Sequence, residues 1–157
     1  MIHMDDLDLK IAKMHENQIY PSSRDIAQQM GIAASTVRRR MTRMFESGEL
    51  ESTMLVDVEE FPDLYITVVG ILLSISPDRC VPEIKKIPSV LFLMGVTGKY
   101  DLIAVVVMTS RKMLSKVTRQ LFDIEGVSSL ETFVVIDNYG FRIPAGRLSE
   151  LFEQEKK

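Results

Sequence analysis

With 157 residues, 46% of them hydrophobic and 26% charged, the chain suits one average domain or two small ones and has the make-up of a packed, soluble protein. No apolar run approaches the roughly 18 residues that span a bilayer, and the acidic start (Asp5, Asp6, Asp8) lacks the basic flank of a signal peptide. One cysteine, Cys80, and two histidines, His3 and His15, argue against a disulfide framework and a zinc site, leave no metal constellation, and suit a reducing cytoplasm.

From Asp5 to about Gly48 the apolar residues recur at helical spacing. Leu7, Ile11 and Met14 predict a first helix, Ile26 and Met30 a second, and Val37, Met41, Met44 and Phe45 a third. Ser22 with Asp25 three residues on forms a capping-box start for the second helix. Gly31 suits the left-handed residue of the tight turn that follows, and Gly48 ends the third helix. Small Ala27 allows close helix approach. Three short helices with a tight turn between the last two describe a helix-turn-helix unit, placed at residues 1–50.

The formal net charge of −3 argues against a nucleic-acid partner if it is spread evenly, and residues 1–53 carry seven Lys/Arg against eight Asp/Glu. The positive charge is not even, however: four arginines fall within residues 34–43, where the reading helix belongs. Phosphate neutralisation dominates DNA affinity, so a local basic face outweighs the whole-chain balance. On a helical wheel Val37, Met41, Met44 and Phe45 gather on one side, while Ser35, Arg39, Thr42 and Glu46 lie opposite. Ser35, Thr36 and Arg39 are therefore expected at base edges, where Arg can grip guanine through two hydrogen bonds. Arg38, Arg43, Ser23 and Arg24 are expected at phosphates, with Thr42 on the same outward face. Arg40 points nearer the core and is expected to pack its stem and pair with an acid.

After Glu49 the texture changes. Residues 51–63 read as a linker strand, broken by Glu59-Glu60-Phe61-Pro62-Asp63. Strands are predicted at Ile66–Ile75, Val90–Val96, Leu102–Met108 and Leu130–Ile136, with helices at Val81–Ile87 and Lys112–Phe122, the latter capped by Ser110. The order βαββαβ is that of a ferredoxin-like sandwich over residues 64–138, with two helices on one face of an antiparallel sheet, making the chain α+β overall. Strands such as Leu102–Val107 and Phe133–Ile136 are apolar on both faces, so the face without helices needs a cover, and a second copy of the same sheet is the economical one. Residues 139–157 form an extension with a short amphipathic helix after Pro144, built on Leu148, Leu151 and Phe152. In the loop between the two central strands, Asp101 suits an ammonium and Lys99 or Tyr100 a carboxylate, while Gly98 permits close backbone approach.

Taken in order, these features resemble the Lrp/AsnC family of transcription regulators. The residues that carry the resemblance are Leu7-Asp8-Leu9-Lys10-Ile11, Ile26-Ala27-Gln28-Gln29-Met30-Gly31-Ile32, Val37-Arg38-Arg39-Arg40-Met41, Gly48-Glu49-Leu50 and Gly126-Val127. Gly98-Lys99-Tyr100-Asp101-Leu102 matches the family's Gly-x-Tyr-Asp loop. Two departures stand out: Ala33 replaces the usual serine at the start of the reading helix, leaving its cap absent or shifted to Ser35, and Phe61-Pro62-Asp63-Leu64 lacks the common Leu-Gly. The resemblance implies a cytoplasmic regulator that binds double-stranded DNA as a homodimer assembling into tetramers or octamers. It also implies an amino-acid effector held between dimers at Gly98, Lys99, Tyr100 and Asp101, with Thr132 nearby. No cofactor, catalytic residue or membrane partner is expected, and the chain is read as a non-enzyme. Two rivals share the architecture: a siroheme-decarboxylase-like enzyme, disfavoured because both histidines lie in the first fifteen residues, and a sensing partner of a paralogue that leaves DNA alone.

Overall fold

The computed structural model describes residues 4–16 and 21–155, so His3 lies outside the described residues. The chain divides into two compact units, Met1–Ser52 and Thr53–Lys157.

The first unit holds helices α1 (Asp6–Lys13), α2 (Ser23–Met30) and α3 (Ala34–Glu46). Both of the first two helices open on reciprocal capping boxes, Asp5 with Asp8 and Ser22 with Asp25, which satisfy the orphan amides of the first turn. Gly31 ends α2 in the left-handed region at φ 65°, and Gly48 does the same after α3 at φ 73°. Ala33 is the N-cap of α3 and makes no side-chain cap bond, so the cap is absent rather than shifted to Ser35. Ile11, Ile26, Ala27, Val37 and Met44 form the core. Phe45 was expected among them but is 43% exposed. It sits about 80° round the helix from Val37, at the margin of the apolar stripe.

The second unit begins with β1 (Leu55–Asp57) and a 3-10 turn (Val58–Glu60). There follow β2 (Tyr65–Leu73), α4 (Pro77–Ile84), β3 (Val90–Gly95), β4 (Leu102–Met108), α5 (Arg111–Phe122), β5 (Val127–Val134), β6 (Arg142–Pro144) and α6 (Ala145–Glu155). Strands pair antiparallel in the order β3-β4-β2-β5, the ferredoxin-like arrangement. Val69, Ile71, Ala104 and Val106 pack against Ile84 of α4 and Val117 and Leu121 of α5. Helix α4 starts four residues earlier than the periodicity suggested, because Pro77 needs no amide partner and brings a helical φ to the first turn. Strand β5 starts at Val127, directly after Gly126, and ends at Val134 instead of Ile136.

The face without helices corrects one expectation. A second copy was expected to cover it, yet the chain covers much of it alone. Ile66 and Val107, with Val105 beside them, pack against Val58, Leu64, Ile143, Leu148 and Leu151. Strand β1 pairs with β6, Val56 opposite Ile143, so the linker and the C-terminal extension join in one small sheet that carries α6. What stays open on the second unit is apolar and aromatic: Phe92, Met94, Phe133, Ile136 and Tyr139 are all exposed. Among the described residues no helix is long and apolar enough to cross a membrane.

Candidate nucleic-acid interface and effector loop

Val37 and Met44, both at 0% exposure, fix the roll of α3. That roll sorts its four arginines into two pairs. Arg40 and Arg43, three residues apart on one flank, turn toward α1 and clamp Asp8, itself at 0% exposure. Arg40 Nη1 donates to Asp8 Oδ1 at 2.8 Å and to Asp5 Oδ2 at 2.7 Å, and Arg43 Nη2 donates to Asp8 Oδ2. Burial pushes the Asp8 carboxyl up, but the bonds from Arg40, the Asp5 amide and Arg43 together overcome it and hold the group below its ordinary value. The two aspartates in turn raise the pKa of Arg40, Asp8 contributing more than Asp5.

Arg40 thus takes the internal role expected of it. Arg43, expected at phosphates, is not a wholly free cation: Nη2 is tied to Asp8, while the side chain stays 47% exposed. The signal for this lay in the Leu-Asp-Leu run of α1: Asp8 falls one helical turn before Ile11, on the buried side, and a buried carboxylate requires cations. The two arginines that remain, Arg38 and Arg39, are exposed and share one shallow groove with Ser35, Thr42 and Arg43, closed at its far end by Glu46. Thr36 is half-buried beside them. Arg24 is exposed on α2 and Ser23 half-buried.

In the second unit the loop from Val96 to Asp101 joins β3 to β4. The Leu73 amide donates to Asp101 Oδ2 at 2.8 Å, and the Asp101 amide donates to Ile71 O at 3.0 Å. The aspartate therefore braces its own loop against the end of β2. Lys99 Nζ and Tyr100 Oη both donate to the carboxylate of Glu131, on β5. The Tyr100 ring lies against Gly70, where a Cβ would come within 2.8 Å of it, and meets Phe133 edge to face at 6.5 Å. Lys99 foremost, then Tyr100, holds the Glu131 carboxyl below the usual range, and Glu131 raises the lysine in return.

Glu131 is the functional candidate that the sequence reading missed. Its signal is a lone carboxylate in Leu130-Glu131-Thr132-Phe133, where strand alternation places it with Phe133. The same alternation turns Thr132 away, into a hollow lined by Leu114, Thr118 and Arg119 of α5. Thr132 is therefore not brought to the loop. Of the remaining residues, Cys80 is buried with its thiol toward Glu125 O at 3.4 Å. His15 is half-buried, its Nδ1 3.2 Å from Ile11 O.

Residues 72–142 match the model of the Lrp/AsnC ligand binding domain. An HTH-type transcriptional regulator of Pyrococcus abyssi is 26% identical over 139 residues, covering 85% of this chain and 92% of its own. In fold, the structure of Escherichia coli AsnC superposes with a TM-score of 0.70 at 23% identity, spanning 89% of this chain and 97% of that one. A transcriptional regulator of Neisseria meningitidis solved as a complex with L-Met superposes at 0.67, with 18% identity and 92% and 99% coverage.

Proposed function

We propose that this chain, whose residues 72–142 match the Lrp/AsnC ligand binding domain and whose relatives over most of its length are HTH-type transcriptional regulators, is a transcription regulator that reads duplex DNA through the Arg38–Arg39 face of α3. The observation that carries the reading is the division of the four arginines. Two are paired with Asp8, and the other two, Arg38 and Arg39, make no ion pair with a described residue and stand on the side away from the core with Ser35 and Thr42. Arg39 is assigned to a base, with Ser35 and Thr36 near it, while Arg38, Arg24 and Ser23 are assigned to phosphates. We read the chain as a regulator and not an enzyme, in keeping with its relatives. Its open aromatic face is the surface through which it pairs with a second copy.

Arg39→Ala will relax preference at one position of each half-site, costing about 1–3 kcal/mol there. Titration against single-base variants of a selected operator measures this. An unchanged preference profile with binding retained would remove Arg39 from base reading.

Asp101 is engaged in bracing its own loop against β2. An amino acid presents one ammonium and one carboxylate, and the Glu131–Lys99 pair offers the matching charges, so the ligand can take over an ion pair that already exists. Glu131 rather than Asp101 is assigned the ammonium, Lys99 and Tyr100 the carboxylate, and Gly98 the turn; the L-Met complex of the Neisseria relative agrees with a ligand of this class. Glu131→Gln will weaken binding of the responding amino acid at least tenfold, a charge-assisted bond being lost. Calorimetry with the twenty amino acids on both proteins decides it, and equal binding would place the pocket elsewhere.

A further inference from the structure

At the opposite end of β2 from this loop, the second unit holds a cavity of about 600 Å³ between the start of α5 and the ends of β2, β4 and β5. Thr67 and Leu73 are separated by about 20 Å of strand, so cavity and loop are separate places. The cavity wall is mostly apolar, with Leu64, Met108, Leu114 and Val135 prominent. Three lining side chains, Tyr65, Thr67 and Arg111, carry polar groups. Thr67 is at 0% exposure and its Oγ1 has no hydrogen-bond partner. A buried hydroxyl left unpaired is costly and rare. Arg111, the first residue of α5, lies with its guanidinium carbon 5.9 Å from the centre of the Tyr65 ring. Ser110, the N-cap of that helix, makes no side-chain cap bond, so the positive end of α5 at Arg111 is left without a side-chain cap.

We propose that this cavity binds a small carboxylate with an aliphatic tail and a second oxygen on the adjoining carbon, that is, a 2-oxo or 2-hydroxy acid. The carboxylate meets the Arg111 guanidinium at the positive end of α5, a pairing of cation and helix N-terminus that suits an anion. The tail fills the space among Leu64, Met108 and Leu114. Thr67 donates its free hydroxyl to the second oxygen. No aspartate or glutamate lines the cavity, so the ammonium of the corresponding amino acid finds no counter-charge there and would be desolvated unpaired. The site therefore distinguishes an oxo acid from the amino acid of the same skeleton. The loop at Glu131 has the reverse chemistry, which gives one domain two sensors for the two ends of a transamination-type exchange.

The test is calorimetry on the full chain with 4-methyl-2-oxopentanoate, 4-methylpentanoate and leucine, leucine being measured on Glu131→Gln, where the loop site is weakened. The oxo acid should bind most tightly, the plain acid up to about tenfold more weakly for want of one hydrogen bond, and leucine more weakly than either. Arg111→Gln should cost both acids at least tenfold. Thr67→Val should erase the margin between the oxo acid and the plain acid while melting at or above the wild-type temperature, because a hydroxyl without a partner contributes nothing to the fold. No heat from the oxo acid at millimolar concentration would overturn the proposal. So would affinity unmoved by both Arg111→Gln and Thr67→Val, or binding of leucine as tight as that of the oxo acid.

Discussion

Asp8→Ala will melt the N-terminal domain well below the wild-type temperature, and DNA binding will fall with it. Asp8 is buried completely and is held by Arg40, Arg43 and the Asp5 amide. Its removal leaves Arg43 without its carboxylate and Arg40 with only the exposed Asp5, so two cations at the junction of α1 and α3 lose the buried charge they share. Breaking a buried pair by deleting one partner costs about 3–5 kcal/mol. The arginine side chains keep 23% and 47% of their exposure, so water relieves part of this, and about 2–3 kcal/mol is the expected loss. For a unit of this size that is a large share of total stability, equivalent to a fall of roughly 10–20 °C in melting temperature. Circular dichroism of the helices against temperature reads it directly. Because the folded-state pKa of Asp8 is lowered, its contribution is fully present above the unfolded value near pH 4 and is lost as pH falls through the folded value. The wild-type domain should thus lose stability in acid, whereas Asp8→Ala should show a flatter pH dependence. A variant that melts like the wild type would show the clamp to be incidental.

Leu151→Ala will destabilise the C-terminal domain by about 2–5 kcal/mol, as expected for a truncated core leucine. Leu151 is on α6, outside the ferredoxin-like sandwich, and a dispensable tail would tolerate the change. It is nonetheless at 0% exposure and packs with Ile143, Leu148, Ile66 and Val107. Truncation after Asn138 goes further. It removes β6 and α6 together, strands β1 without a partner and bares the apolar back of the sheet, so the shortened chain should aggregate at micromolar concentration. Sedimentation of the truncated chain checks this. A soluble species with the wild-type melting profile would return the extension to a mere appendage.

These two residues mark where sequence reading succeeded and where it stopped. Local signals carried far: the Ser22–Asp25 box, Gly31, the βαββαβ order and the inward turn of Arg40 all follow from spacing and residue type. Pairings distant along the chain did not. The buried position of Asp8 calls for a cation without naming Arg43, and nothing in the local pattern ties Glu131 to Lys99 or Leu55–Asp57 to Arg142–Pro144, because each joins segments brought together only by the fold. The sheet's two apolar faces were legible; which chain covers the second was not, since periodicity reports that a face is buried and not by what. Thr132 was misplaced by a related step. It is one residue from Glu131, and in a strand one residue is the difference between opposite faces.

The central claim is that Arg38 and Arg39 present a sequence-reading face to duplex DNA. Selection from random duplexes by the purified full chain, repeated with Arg38→Ala/Arg39→Ala, tests it most directly. The wild type should enrich a two-fold symmetric motif with half-sites about one helical turn, or a multiple, apart, with affinity falling steeply as salt rises. The double variant should keep its fold and enrich no motif. Failure of the wild type to enrich any motif, or the same motif from both proteins, would contradict the account.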